Sequence, residues 1–267
     1  AEVQSIVDAA VSKAVEALPA RKIDVTYNGA TVRIDGATHK MLPDLLRCLG
    51  AGLQVWLAGP TGSGKTHAVE QSAKAMGLPF YFNGAIDTEY KLLGFVDAQG
   101  RIVSTAFREA FTNGGVYLFD EVDASMPAAT LAFNAALSNG YADFPGGRVE
   151  RHAKFYACAA ANTYGLGATN DYVGRNKMDA AFLNRFVRLT WAYDEALEKT
   201  LAGNDKWTAT VQKARHQAVE KGLRVIISPR DSINGARLLA AGFTREDAIL
   251  MTFGAGLTDE QRRNLGV

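Results

Sequence analysis

Residues 59–66 read Gly59-Pro60-Thr61-Gly62-Ser63-Gly64-Lys65-Thr66. This octapeptide fits the spacing G-x-x-x-x-G-K-[ST], with Gly59, Gly64, Lys65 and Thr66 in register. Its surroundings fit as well. The apolar run Leu53 to Ala58 precedes it, and the helix-compatible stretch Thr66 to Met76 follows. A strand feeding a glycine-rich turn feeding a helix aims main-chain N–H groups and the positive end of a helix dipole at phosphate oxygens. Gly59, Gly62 and Gly64 let the backbone approach such a ligand with no Cβ in the way. Lys65 is placed to reach the terminal phosphates, and the Thr66 hydroxyl to ligate a divalent metal. Pro60, Thr61, Ser63 and His67 complete the segment expected to touch a nucleotide.

Working outward, 267 residues suffice for one large and one small domain. A net charge of +1 leaves no electrostatic footprint for nucleic acid or an anionic membrane. Cys48 and Cys158 lie in apolar contexts without a C-x-x-C, which predicts buried free thiols and a reducing compartment. His39, His67, His152 and His216 show no metal-ligand spacing. No apolar run has transmembrane length, and the first residues do not look like a signal peptide, so a cytoplasmic location is expected.

Along the chain, residues 1–35 predict an apolar-periodic helix over 2–18 and a small hairpin turning at Asn28-Gly29. Residues 36–191 alternate strand and helix. Strands are expected at 53–58, 79–83, 116–119, 154–161 and 186–191, with helices at 65–76, 105–113 and 127–139 and an irregular segment over 84–104. The expected fold is therefore α/β: a three-layer αβα sandwich on a parallel five-stranded sheet. After Trp191 only helical periodicity remains, which predicts a small all-helical domain over 192–267.

The strand Val116-Tyr117-Leu118-Phe119 ends in Asp120-Glu121. Ligands in open α/β sheets bind outside the carboxyl ends of strands. Asp120, with Thr66, would hold Mg²⁺, and Glu121 would polarise an attacking water. Asn162 closes the strand Phe155 to Ala161; it could hydrogen-bond that water or a phosphate oxygen, or be an ordinary turn asparagine.

With those residues named, the chain resembles an AAA+ ATPase of the MoxR/CobS-like, dynein-related group. Five segments match in order: the 59–66 octapeptide; Leu118-Phe119-Asp120-Glu121; Ala161-Asn162-Thr163; Leu183-Asn184-Arg185-Phe186; and Ser228-Pro229-Arg230. The resemblance implies ATP and Mg²⁺ as ligands and a homo-oligomeric ring, with six subunits the family expectation. It implies sensor 1 at Asn162, an arginine finger acting on the neighbouring subunit at Arg185, and sensor 2 at Arg230, in a lid closing on the core. The family pattern has Asp before the Arg-Phe pair where this chain has Asn184, which keeps Arg188 and Arg175 as alternative fingers. An adenine pocket is expected around Asp35 to Lys40, with His39 as a contact. The segments 92–103 and 143–149 resemble the helix-2 insert and the pre-sensor-1 hairpin, making Phe95 and Phe144 either channel-facing contacts or packing for their own hairpins.

Two functions follow from the resemblance. One is a ring ATPase that remodels a protein partner. The other is a nucleic-acid motor or loader of the same fold. The near-neutral charge favours the first, while Arg101 and Arg148 in the hairpins keep the second open. A small-molecule phosphotransferase ranks last, because it needs neither Glu121 nor a helical lid.

Overall fold

The computed structural model describes residues 23–27, 30–34 and 36–267. The predicted helix over 2–18 and the Asn28-Gly29 turn fall outside these residues. The two hairpin strands are present, β1 (Ile23–Tyr27) and β2 (Ala30–Ile34), paired antiparallel. They are followed by α1 (Leu42–Gly50), β3 (Val55–Ala58), α2 (Lys65–Ala75) and β4 (Phe80–Asn83). The segment expected to be irregular contains a short helix, α3 (Tyr90–Leu93), and a small hairpin, β5 (Phe95–Val96) with β6 (Ile102–Val103). Next come α4 (Ala106–Asn113), β7 (Gly115–Phe119), α5 (Pro127–Asn139), the hairpin β8 (Tyr141–Phe144) and β9 (Gly147–Glu150), and β10 (Phe155–Ala161). A short helix, α6 (Ala180–Leu183), precedes β11 (Val187–Thr190).

β3, β4, β7, β10 and β11 form one parallel sheet in the order β11-β3-β10-β7-β4. β3 and β7 are buried along their whole length, as expected of strands covered on both faces. On one face Trp56, Tyr117 and Phe119 meet Phe107, Phe111 and Phe133 from α4 and α5. On the other, Val55, Leu57 and Leu118 meet Leu42, Leu45 and Leu49 of α1 and Ala68, Val69 and Ala73 of α2. Alternation along each strand thus sends successive side chains to opposite layers. Ile34 is buried in the second cluster, which docks the N-terminal hairpin on the core.

The loop 59–64 leads from the end of β3 into α2, which packs over β7 and β10. The phosphate loop, the acids and Asn162 therefore share one edge of the sheet, the carboxyl edge expected to bind ligands.

From Glu195 the described residues are helical: α7 (Glu195–Ala202), α8 (Asp205–Glu220), α9 (Pro229–Ala240), α10 (Arg245–Ile249) and α11 (Asp259–Asn264), with a π-helical turn at Leu250–Gly254. They enclose their own core of Trp207, Val211, Ala214, Ile249 and Phe253.

Of the two readings open for Phe144, channel contact or packing, the structure shows packing. It is buried against Phe107 and Phe111, with the Arg108 guanidinium 5.5 Å from its ring centre. Ala142 and Phe144 both point inward from β8, so the strand turns its apolar edge to the core. Phe95, by contrast, is exposed.

Candidate functional site

The loop between β3 and α2 is shaped by close approach and by left-handed backbone. A Cβ at Gly59 would lie 2.0 Å from the Trp191 carbonyl oxygen, so only glycine fits there. Gly62 and Gly64 adopt φ of 74° and 85°, the region that favours glycine. Gly64 is the N-cap of α2 and brings no side chain to its first turn, which leaves the N–H groups there for a ligand. The indole N–H of Trp191 donates to the Ser63 carbonyl at 3.1 Å, and the Tyr193 hydroxyl donates to the Thr61 carbonyl at 3.0 Å. The Thr61 amide donates to the Tyr172 hydroxyl at 3.1 Å.

Lys65 is buried under this loop. Its ammonium donates to the carbonyls of Gly59 and Pro60, at 2.7 and 3.0 Å, and to Asn162 Oδ1 at 3.1 Å. Burial pulls its pKa down to about 8, against the opposing pull of Asp120, Asp123 and Glu121. The Thr66 hydroxyl donates to Asp120 Oδ2 at 2.7 Å. Residues 61–67 with Asp120, Glu121, Asn162 and Arg230 line a cavity of about 250 Å³. A second cavity of about 230 Å³ shares Gly62, Gly64, His67 and Arg230 with it and extends to His39, Ala68, Leu201 and Ile233. A mainly polar chamber thus adjoins a mainly apolar one, the division a nucleotide requires. A larger groove of about 940 Å³ beside β5 is lined by Tyr90, Phe95, Val96 and Pro145 and shares no lining residue with the 250 Å³ cavity.

His39 forms part of the apolar chamber's wall. Its ring stacks on Trp191 at 4.3 Å. The Met41 amide donates to Nδ1 at 3.1 Å, so the proton sits on Nε2, which donates to the Ala192 carbonyl at 2.9 Å. Burial holds the imidazole below its ordinary pKa. With both nitrogens engaged, it offers a base only its carbon surface. Asp194 joins this wall to the helical region: it accepts from the Lys40 amide at 2.8 Å and caps α7 through the Leu197 amide at 3.1 Å.

The acids after β7 are held differently from one another. Glu121 has φ of 51°, which is unusual for a residue with a Cβ. Asp123 is fully buried and accepts from the Thr163 hydroxyl at 2.7 Å and from Arg175 at 3.1 Å. Arg175 therefore faces the acids of its own chain.

Arg230 follows Pro229 at the start of α9. The N-cap Ser228 and Asp231 form a reciprocal capping box there. Arg185 lies elsewhere, exposed on the turn after α6, where it donates to Asn134 Oδ1 on α5. Arg188 is exposed on β11, the edge strand of the sheet.

The structure therefore gathers Lys65, Thr66, Asp120, Glu121, Asn162 and Arg230 around one cavity and leaves Arg185 outside it. Sequence reasoning missed Asp123, Tyr172, Tyr193 and Asp194. Asp123, two residues beyond Glu121, was visible, but nothing local paired it with an arginine 52 positions away.

Residues 54–186 match the family model of the AAA domain, dynein-related subfamily. The denitrification regulatory protein NirQ of Pseudomonas aeruginosa is 26% identical over 230 residues, covering 78% of this chain and 85% of NirQ. NtrX from Brucella abortus superposes with a TM-score of 0.53 at 15% identity, over 86% of this chain and only 58% of NtrX. The Holliday junction branch migration motor RuvB of Thermotoga maritima superposes with a TM-score of 0.52 at 16% identity, over 85% of this chain and 74% of RuvB. At these identities the two solved structures show a common fold.

Proposed function

The chain is an AAA ATPase with a dynein-related AAA domain at residues 54–186, and on that premise we propose that it is a ring-forming, Mg²⁺-dependent motor of the MoxR/CobS-like kind that remodels a protein partner. Residues 36–191 form its ATPase core and residues 192–267 its lid. The carrying observation is the single cavity lined by Lys65, Thr66, Asp120, Glu121, Asn162 and Arg230, with Arg185 exposed away from it.

ATP fits the paired chambers. Its phosphates would meet the first turn of α2 and Lys65, which would exchange the Gly59 and Pro60 carbonyls for phosphate oxygens. Arg230 reaches the same chamber from the lid, so lid position and phosphate contact are coupled. The Thr66 hydroxyl and Asp120 carboxylate are adjacent hard oxygen donors suited to Mg²⁺. That ion would neutralise phosphate charge. Glu121 would accept a proton from the attacking water, and Asn162 would hold that water or a phosphate oxygen. Arg185 would complete the site of a neighbouring subunit, with Arg188 as the alternative.

A protein partner is favoured over nucleic acid because both hairpin arginines are already paired. Arg101 pairs with Asp97 at 2.8 Å, and Arg148 pairs with Asp143 at 3.0 Å while stacking on Tyr141. Among the described residues no helix is long and apolar enough to cross a membrane. The free thiols Cys48 and Cys158 agree with a reducing, cytoplasmic setting.

The test is Glu121→Gln. It should bind ATP with near-native affinity, turn over at least about 10²-fold more slowly and co-purify with the partner. Wild-type turnover would remove Glu121 from the mechanism. Stimulation of the wild type by DNA or RNA at physiological salt would favour the nucleic-acid motor instead.

A further inference from the structure

Arg175 lies on the loop between β10 and α6 and reaches back to the acids after β7. One guanidinium nitrogen donates to Asp123 Oδ1 at 3.1 Å, and the other stands 3.6 Å from Glu121 Oε1. The two carboxylates are held unequally. Asp123 is fully buried and also accepts from the Thr163 amide and hydroxyl, at 3.3 and 2.7 Å. Moving it would strand a charge in the interior. The Glu121 side chain is 49% exposed, while Arg175 is only 13% exposed. The guanidinium thus stands between a buried acid and a half-exposed one.

The loop carrying Arg175 is fastened at further points. The Asn176 amide donates to the Asp123 carbonyl at 2.6 Å, and its side chain donates to the Ser125 carbonyl at 2.8 Å. Tyr172 on the same loop accepts from the Thr61 amide of the phosphate loop. One segment therefore touches the phosphate loop, the buried Asp123 and the half-exposed Glu121.

The geometry points to Arg175 as a positioning residue for hydrolysis: anchored on Asp123, it turns the Glu121 carboxylate toward the phosphate cavity of its own subunit. The inference rests on the role proposed above for Glu121. A general base must stand within hydrogen-bond reach of the proton it takes. A carboxylate on a flexible stem, on a left-handed residue, spends little time there without a fixed counter-charge. This places Arg175 in cis and removes it from the candidates for a finger reaching a neighbour's phosphates.

The test uses the full chain with Arg175→Ala and Arg175→Lys. In Arg175→Ala, kcat for ATP should fall about tenfold or more, since displacement of a reacting group by about 1 Å can cost about 10²-fold. KM and nucleotide Kd should stay near wild type. Arg175→Lys should recover the unfolding temperature, because Asp123 regains a cation. It should recover only part of kcat, because a single ammonium lacks the fork that spans both acids. Adding Arg175→Ala to Glu121→Gln should lower the residual slow turnover no further, which locates the effect at Glu121.

Unchanged or raised kcat in folded Arg175→Ala would overturn the inference. So would an equal further loss on top of Glu121→Gln, or recovery of turnover on mixing Arg175→Ala with Lys65→Ala subunits. Should Arg175→Ala not fold, Arg175→Lys decides alone, and wild-type kcat in it overturns the assignment. Wild-type turnover in Glu121→Gln is the separate result that would remove the Glu121 reading itself.

Discussion

Lys65 is where sequence and structure diverge most instructively at the scale of a single residue. Its place in the octapeptide predicts contact with phosphates, whereas its Nζ is folded back on the Gly59 and Pro60 carbonyls and on Asn162. Burial lowers its pKa to about 8, so the ligand-free protein loses this proton as pH rises through that value. Bound phosphates favour the ammonium and raise the pKa. Nucleotide binding above pH 8 must then take up a proton, and affinity should fall by up to about tenfold per pH unit there, while staying flat below. Calorimetry in buffers of different ionisation heat should find proton uptake near zero at pH 7 and rising toward one by pH 9. Lys65→Arg, charged throughout, should abolish the trend; equal uptake in both proteins would refute it. The octapeptide and Asp120-Glu121 were legible because each sits at a fixed offset within one element or its end, whereas Asn162 stayed open between two readings and Arg230 came from the family resemblance alone. Asp123 with Arg175, and Thr61 with Tyr172, were not legible, because their contacts are made across 52 and 111 positions.

At the scale of elements, apolar runs announced the three inner strands β3, β7 and β10, since a strand buried on both faces must be apolar throughout; the edge strands β4 and β11 are half-buried or exposed and were marked by their place in the alternation of strand and helix. Of the two readings open for Phe144, packing holds, and the alternation of Ala142 and Phe144 along β8 already marked an inward face. The helical region holds a comparable hidden constraint. Gly235 lies inside α9, where glycine costs about 1 kcal/mol relative to alanine, so helix propensity alone favours replacing it. Packing decides otherwise: a Cβ at Gly235 would lie 2.1 Å from the Trp207 ring. That indole is buried and donates to the Asp231 carbonyl at 3.2 Å, so it cannot swing aside freely. Gly235→Ala should destabilise by about 1–3 kcal/mol, read as a lowered urea midpoint. Asn234→Ala, one residue away on the exposed side of α9, should be neutral or slightly stabilising. Equal midpoints for the two variants would mean that α9 does not pack on Trp207 through this face.

At the scale of the whole molecule, the cavity is served by residues from both regions of the chain, yet Arg185 is not among its lining. This arginine, on the turn before the edge strand, is exposed and held to α5 through Asn134. If it completes a neighbour's site, each active centre lies between two copies joined head to tail, a heterologous contact that closes into a ring. Such a site has two halves that separate variants can supply. Arg185→Ala subunits keep the intact cavity and lack the finger, whereas Lys65→Ala subunits keep the finger and lack a working phosphate loop. Each protein alone should be nearly inactive. Mixed in equal amounts and allowed to exchange, they should regain turnover, because random assembly places complementary halves at about a quarter of the interfaces. Wild-type turnover per chain should also fall on dilution as the assembly dissociates. If native mass measurement shows mixed rings forming and turnover still fails to return at any ratio, Arg185 serves its own subunit's fold. The trans role would then pass to Arg188, whose position on the edge strand β11 makes it the next exposed guanidinium to exchange in the same experiment.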